Sequence, residues 1–97
     1  MQEFTASRLS EGNKFFPSHI IIDDNGVTLK VPGFFSGKET TILFGSISSV
    51  DIETPFIGFS TISIETKGEG KIIAKGFTKS EVTQMKELVL DNMKKSI

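Results

Sequence analysis

Between residues 18 and 76 apolar and polar positions alternate in short runs, and beyond residue 78 the apolar spacing changes to threes and fours. A period of two sends successive side chains to opposite faces of a strand, whereas a period near 3.6 gathers them on one stripe of a helix. The chain therefore reads as short antiparallel strands followed by one amphipathic helix. His19 opens the run Ile20-Ile21-Ile22, Asp23-Asp24-Asn25-Gly26 interrupts it, and Val27-Thr28-Leu29-Lys30-Val31 alternates strictly. This is a hairpin pattern, and Asn25-Gly26 predicts a tight type I′ turn, whose central residues need positive φ. The break at 32–37 precedes a strand over Thr40-Thr41-Ile42-Leu43-Phe44, and Gly45-Ser46 makes a corner before 47–53. In that next strand Val50 and Ile52 share a face opposite Asp51 and Glu53, as in a half-buried antiparallel strand.

Residues 59–66 and 71–76 give the last two strands, around the turn Lys67-Gly68-Glu69-Gly70. Ala74 and Gly76 share a face with Ile72, which predicts close packing there, with the helix as the packing element. Residues 1–9 carry no clear period and are assigned an edge strand. Gly12, Asn13 and Pro17 mark a loop before the first hairpin.

Thr78 and Glu81 have the spacing of a capping box, so the helix is expected to start at Lys79. Val82, Met85, Leu88, Val89 and Met93 fall on one stripe, and Lys94-Lys95 sit at the negative end of the helix dipole. A lone helix of this length is marginal in water. Each buried stripe residue contributes about 1.5–3 kcal/mol, so the five together give on the order of 10 kcal/mol if a sheet receives them. That gain offsets much of the ordering cost only in the docked state.

About seven short antiparallel strands with one helix after the last is the element order of pleckstrin-homology-like (PH-like) barrels. The hairpin Ile20-Ile21-Ile22-Asp23-Asp24-Asn25-Gly26-Val27-Thr28-Leu29, the stretch Ile42-Leu43-Phe44-Gly45-Ser46-Ile47-Ser48-Ser49-Val50-Asp51-Ile52, and the ending Ile72 to Phe77 resemble the bacterial PH-like domains. The resemblance covers most of the chain after Ser18. It implies a mainly β barrel or roll capped by the C-terminal helix, and a non-catalytic scaffold whose loops or strand edges hold a ligand or partner. Membrane-binding eukaryotic members carry a basic cluster around their first hairpin, where this chain has the acidic turn Asp23-Asp24-Asn25-Gly26.

Composition narrows the chemistry. The 97 residues suit a single domain over 1–97, and eleven basic against twelve acidic side chains leave a net charge of −1 with no basic field for nucleic acid. Without cysteine there is no disulfide, thiolate metal site or cysteine nucleophile. No apolar run reaches a membrane span and no leader pattern opens the chain, so a cytoplasmic location is expected. Nine phenylalanines stand without Tyr or Trp, and most are expected in the core.

In the PH-like arrangement the loops 10–17, 32–39 and 67–70 gather at one end. That placement would bring together Lys14, Phe15, Phe16, Phe34, Phe35, Lys38, Lys67 and Lys71, an apolar rim with cations around it. Paired phenylalanines on polar, glycine-flanked loops either form a contact patch or send one of each pair into the barrel end. The expected function is binding of a protein or peptide partner there or along a strand edge, with no cofactor and no metal. The alternative is a peripheral binder of anionic lipid, disfavoured because four lysines at about 1 kcal/mol each give only roughly millimolar affinity. His19, the only histidine, stands without a Ser or acid at a motif spacing and is read as packed or surface rather than catalytic. Asp23 and Asp24 read as turn formers. Gly68-Glu69-Gly70-Lys71 leads into a strand and lacks the helix-end amides of a phosphate loop. Homo-oligomerisation through an open strand edge, with residues 2–9 pairing with a neighbour, is the remaining expectation.

Overall fold

A computed structural model describes residues 1–10 and 16–95. Its described elements are seven antiparallel strands in two sheets and a C-terminal helix. The first sheet holds β1 (Gln2–Thr5), β2 (His19–Ile22), β3 (Gly26–Val31) and β4 (Lys38–Leu43) in sequential order. The second holds β5 (Ile47–Glu53), β6 (Ser60–Thr66) and β7 (Lys71–Phe77), and α1 (Lys79–Lys95) follows. A 3₁₀ turn, Phe44–Ser46, carries the chain from one sheet to the other at the corner expected of Gly45-Ser46. The fold is thus mainly β, as the period-two pattern requires.

The first hairpin forms with Ile20 opposite Leu29 and Ile22 opposite Val27, but its turn is not type I′. Neither Asn25 nor Gly26 has positive φ. Instead Asp23 Oδ1 accepts from the Asn25 amide at 2.8 Å and the Gly26 amide at 3.0 Å, so the side chain holds a turn with negative φ, as Asp does at the first position of type I turns. Gly26 is needed for space: a Cβ there would meet the Ile42 carbonyl oxygen across the β3–β4 pair.

Two bulges adjust the second sheet. At the start of β5 the register jumps from Ile47↔Thr66 to Ser49↔Glu65, leaving Ser48 as the extra residue. The Ser48 hydroxyl lies 3.2 Å from both the Glu65 and Thr66 carbonyls, so the extra residue itself ties down the bend. In β7 the jump from Ser60↔Phe77 to Thr61↔Lys75 leaves Gly76 unpaired to β6, with φ +98°. Its carbonyl accepts from the Ser7 amide at 2.8 Å. This backbone bond links the chain beyond β1 to the edge of the second sheet. The close approach foreseen at Gly76 is therefore made by the N-terminal segment. The contacts of α1 fall chiefly on β5, β6, the 3₁₀ turn and β2.

One apolar cluster fills the space between these elements. Phe4, Ile20, Ile22, Val27 and Ile42 come from the first sheet, Ile47, Val50, Ile62, Ile64, Ile72 and Ala74 from the second, and Val82, Met85 and Val89 from the helix. The capping box forms as predicted, with the Thr78 amide donating to Glu81 Oε1 at 2.9 Å and the Glu81 amide donating to Thr78 Oγ1 at 3.1 Å. The expectation that most phenylalanines are core is overturned. Phe4, Phe44 and Phe77 are buried, Phe16 is half-buried, and Phe34, Phe35, Phe56 and Phe59 are exposed. The reason is positional, since the exposed four lie on loops where no alternation directs them inward.

Met85→Ala, at a fully buried position, is expected to destabilise the protein by about 2–5 kcal/mol in urea titrations. Gly76→Ala forces a Cβ into a left-handed conformation and is expected to cost about 1–2 kcal/mol. The two amides at Asp23, from Asn25 and then Gly26, hold its carboxyl below the ordinary carboxylate value. Its stabilising contribution is thus present above the unfolded value of about 3.9 and is lost as pH falls through the lower folded one. Asp23→Asn keeps the acceptor but cannot titrate, so its urea midpoint should fall less than the parent's between about pH 5 and pH 2. Parallel curves would refute the assignment.

Candidate functional site

The β3–β4 loop, residues 32–37, and the segment leading into β2 lie at the same end of the first sheet, because β1↔β2 and β3↔β4 pair in sequential antiparallel order. Phe16 and Phe34 meet there edge to face, with ring centroids 4.7 Å apart and planes at 82°. This geometry satisfies the ring quadrupoles and ties the two loops together. The contact leaves Phe34 82% exposed, and Phe35 beside it is completely exposed. Neither member of the Phe34-Phe35 pair plugs the interior. Lys14 and Phe15 lie outside the described residues.

Val31 and Lys38, which flank the β3–β4 loop, line a groove of about 270 Å³ between β4 and β7, while the loop's own Pro32 and Gly37 line an open cleft on the outer face. Leu29, Val31, Ile72 and Ile73 give the groove apolar walls, and Lys38 and Lys71 bring two ammonium groups to it. Both lysines are exposed. The geometry follows from topology: β4 and β7 are the edge strands of their sheets, and their first residues converge where the sheets meet. β4 pairs with β3 on one side, and no described strand covers its other edge.

Lys67 does not join this groove. Its amide donates to the Ser46 carbonyl at 2.9 Å, and it lines a separate groove with Phe44, Gly45, Ile47, Leu90, Met93 and Lys94. Of the eight residues expected at one end, the structure brings together Phe16 with Phe34 and Lys38 with Lys71, leaves Phe35 projecting from the loop between them, and sets Lys67 apart.

His19 lies on the outer face of the first sheet, in an open cleft of about 490 Å³ with Glu3, Lys30 and Glu39. Its Nδ1 is 3.1 Å from Thr5 Oγ1 and 3.3 Å from Glu3 Oε2. Cross-strand pairing alone explains this row, since Thr5, His19, Lys30 and Glu39 are register neighbours. Among the described residues no group of three or more His, Cys, Asp or Glu side chains is placed to hold a metal ion. No described helix is long and apolar enough to cross a membrane.

A second apolar loop escaped the sequence reading as a site. Residues 54–59 join β5 to β6, with Phe56 completely exposed and Ile57 83% exposed. Its signal was present: Phe56 and Ile57 sit between Pro55 and Gly58, and Phe59 follows, with no alternation to direct them inward. No protein-family model matches the chain, and no curated protein matches it significantly.

Proposed function

We propose that this chain is a non-catalytic interaction module of PH-like fold that binds an extended acidic segment of a partner protein at the Phe34-Phe35 end. The fold assignment is supported by the four-plus-three strand order, the corner at Phe44–Ser46, the Ser7–Gly76 backbone bond between sheets and the helix after β7. The site assignment rests on one observation: Phe34 and Phe35 stand in water on a loop whose flanking strand residues, Val31 and Lys38, line an apolar groove that Lys71 also borders. Exposed aromatic side chains are costly to leave in water and serve as anchors at interfaces. The open edge of β4 offers backbone groups to an added strand, whose alternate side chains would reach Leu29, Val31 and Ile73. Lys38 and Lys71 favour carboxylates in that segment.

An anionic membrane is less well served. Among the described residues two lysines border the groove, and at about 1 kcal/mol each they hold a protein at a lipid surface more weakly than the four counted from sequence. A non-catalytic reading is supported by His19, whose Nδ1 neighbours are Thr5 and Glu3 on an open outer face.

The test is selection of acidic, apolar-containing peptides from a random library on the whole chain, followed by calorimetry and amide chemical-shift mapping. A selected peptide should shift resonances along β4 and at Leu29, Val31 and Ile73. Phe34→Ala with Phe35→Ala should weaken it at least tenfold, the scale of about 1.4 kcal/mol for losing an aromatic anchor. Lys38→Glu with Lys71→Glu should do the same while leaving the urea midpoint unchanged. Flotation with phosphatidylserine vesicles that disappears in the phenylalanine variant, together with no peptide enrichment, would replace this reading with the lipid one.

A further inference from the structure

The loop at 54–59 and the groove carrying Lys67 lie at opposite ends of the second sheet, and their chemistries match. The loop presents Phe56 and Ile57 to water, with Phe59 partly exposed behind them. On β5 it is preceded by Asp51 and Glu53, both exposed on the outer face, while Lys75 sits two strands away on β7. The groove is half open to solvent, with a volume of about 480 Å³. Phe44, Ile47, Leu90 and Met93 supply its apolar lining, with Lys67 and Lys94 at the rim. Among the described residues neither lysine is in an ion pair.

A protomer cannot fill its own groove with its own loop. The groove begins at Ile47, where β5 starts, and the loop follows Glu53, where it ends. Seven residues of strand span about 20 Å. The helix makes the same separation, since its first turn follows Phe77, paired with Ser60 beside the loop, and its last turns line the groove.

We propose that the occupant of this groove is the 54–59 loop of a second copy of this chain. Phe56 and Ile57 of one protomer enter between Leu90, Met93 and Ile47 of the next, and Asp51 and Glu53 come to face Lys94 and Lys67. The two surfaces differ, so the contact is head-to-tail and repeats: each protomer in a row offers a loop at one end and a groove at the other. The surface involved shares no residue with the Phe34-Phe35 site, and either can fail without the other.

Analytical ultracentrifugation of the full chain tests this. The wild type should show concentration-dependent association beyond a dimer at up to about 1 mM, where a small interface is still populated. Phe56→Ser with Ile57→Ser removes the loop, Leu90→Asp spoils the groove, and each protein alone should be monomeric, its association weakened at least about tenfold. The decisive measurement mixes the two. The loop variant keeps an intact groove and the groove variant keeps an intact loop, so the mixture should form a one-to-one heterodimer and nothing larger. Phe56, Ile57 and the outer side of Leu90 face solvent, so unchanged circular dichroism is expected for both. Should either variant unfold, charge reversal gives a second test: Lys94→Glu and Glu53→Lys should each fail to associate alone, and their mixture should regain association in alternating rows, whereas a mixture that stays monomeric would overturn the proposal. A monomeric wild type, a loop variant that associates like the wild type, or a mixture without heterodimer would each overturn the proposal.

Discussion

Among the described elements, two short sheets, one of four strands and one of three, shield their inner faces from water with each other and a single helix. Every other feature follows from that constraint. With no cysteine in the sequence, no disulfide supports the arrangement, so burial supplies the cohesion. The interior is accordingly dense in isoleucine and valine, whose stiff branched side chains suit facing pleated surfaces. The helix contributes Val82, Met85 and Val89, all fully buried, and a reciprocal capping box fixes where it begins.

The connections between sheets are made by backbone at defined points. The 3₁₀ turn at Phe44–Ser46 carries the chain around one corner, and the Gly76 bulge turns a carbonyl outward to meet the Ser7 amide. Ser48 stabilises the bend at the start of β5 with its hydroxyl. These are places where the ladder is interrupted, and each has a residue suited to the interruption. The result leaves edges of β4 and β7 converging, which is where the Lys38 and Lys71 groove opens.

The phenylalanines divide the molecule into what packs and what is offered to solvent. Phe4, Phe44 and Phe77 sit on elements whose direction is set by the core, and they are buried. Phe34, Phe35 and Phe56 sit on loops whose ends are fixed by strands but whose tips have no inner face to join. An apolar side chain in such a place contributes little to the core, and both proposed interactions use residues of this kind.

Periodicity determined the strands of the β hairpins, the helix and most of the core, and the Thr78–Glu81 spacing its first residue. Such patterns are local: alternation sets faces within a strand, and Thr78 with Glu81 satisfies helix-end groups three residues apart. The candidate end was legible only as loop composition, through Phe34-Phe35 and the flanking lysines. The turn at Asp23 was misassigned because Asn-Gly favours positive φ, whereas Asp23 captures the amides first and the β3–β4 approach supplies a different need for glycine at 26. Which lysines share a groove, which element reaches Gly76 and which phenylalanines face water were decided by tertiary structure. Each depends on how two sheets cross, and that crossing is set by contacts between residues far apart in the chain, to which a pattern of period two is blind.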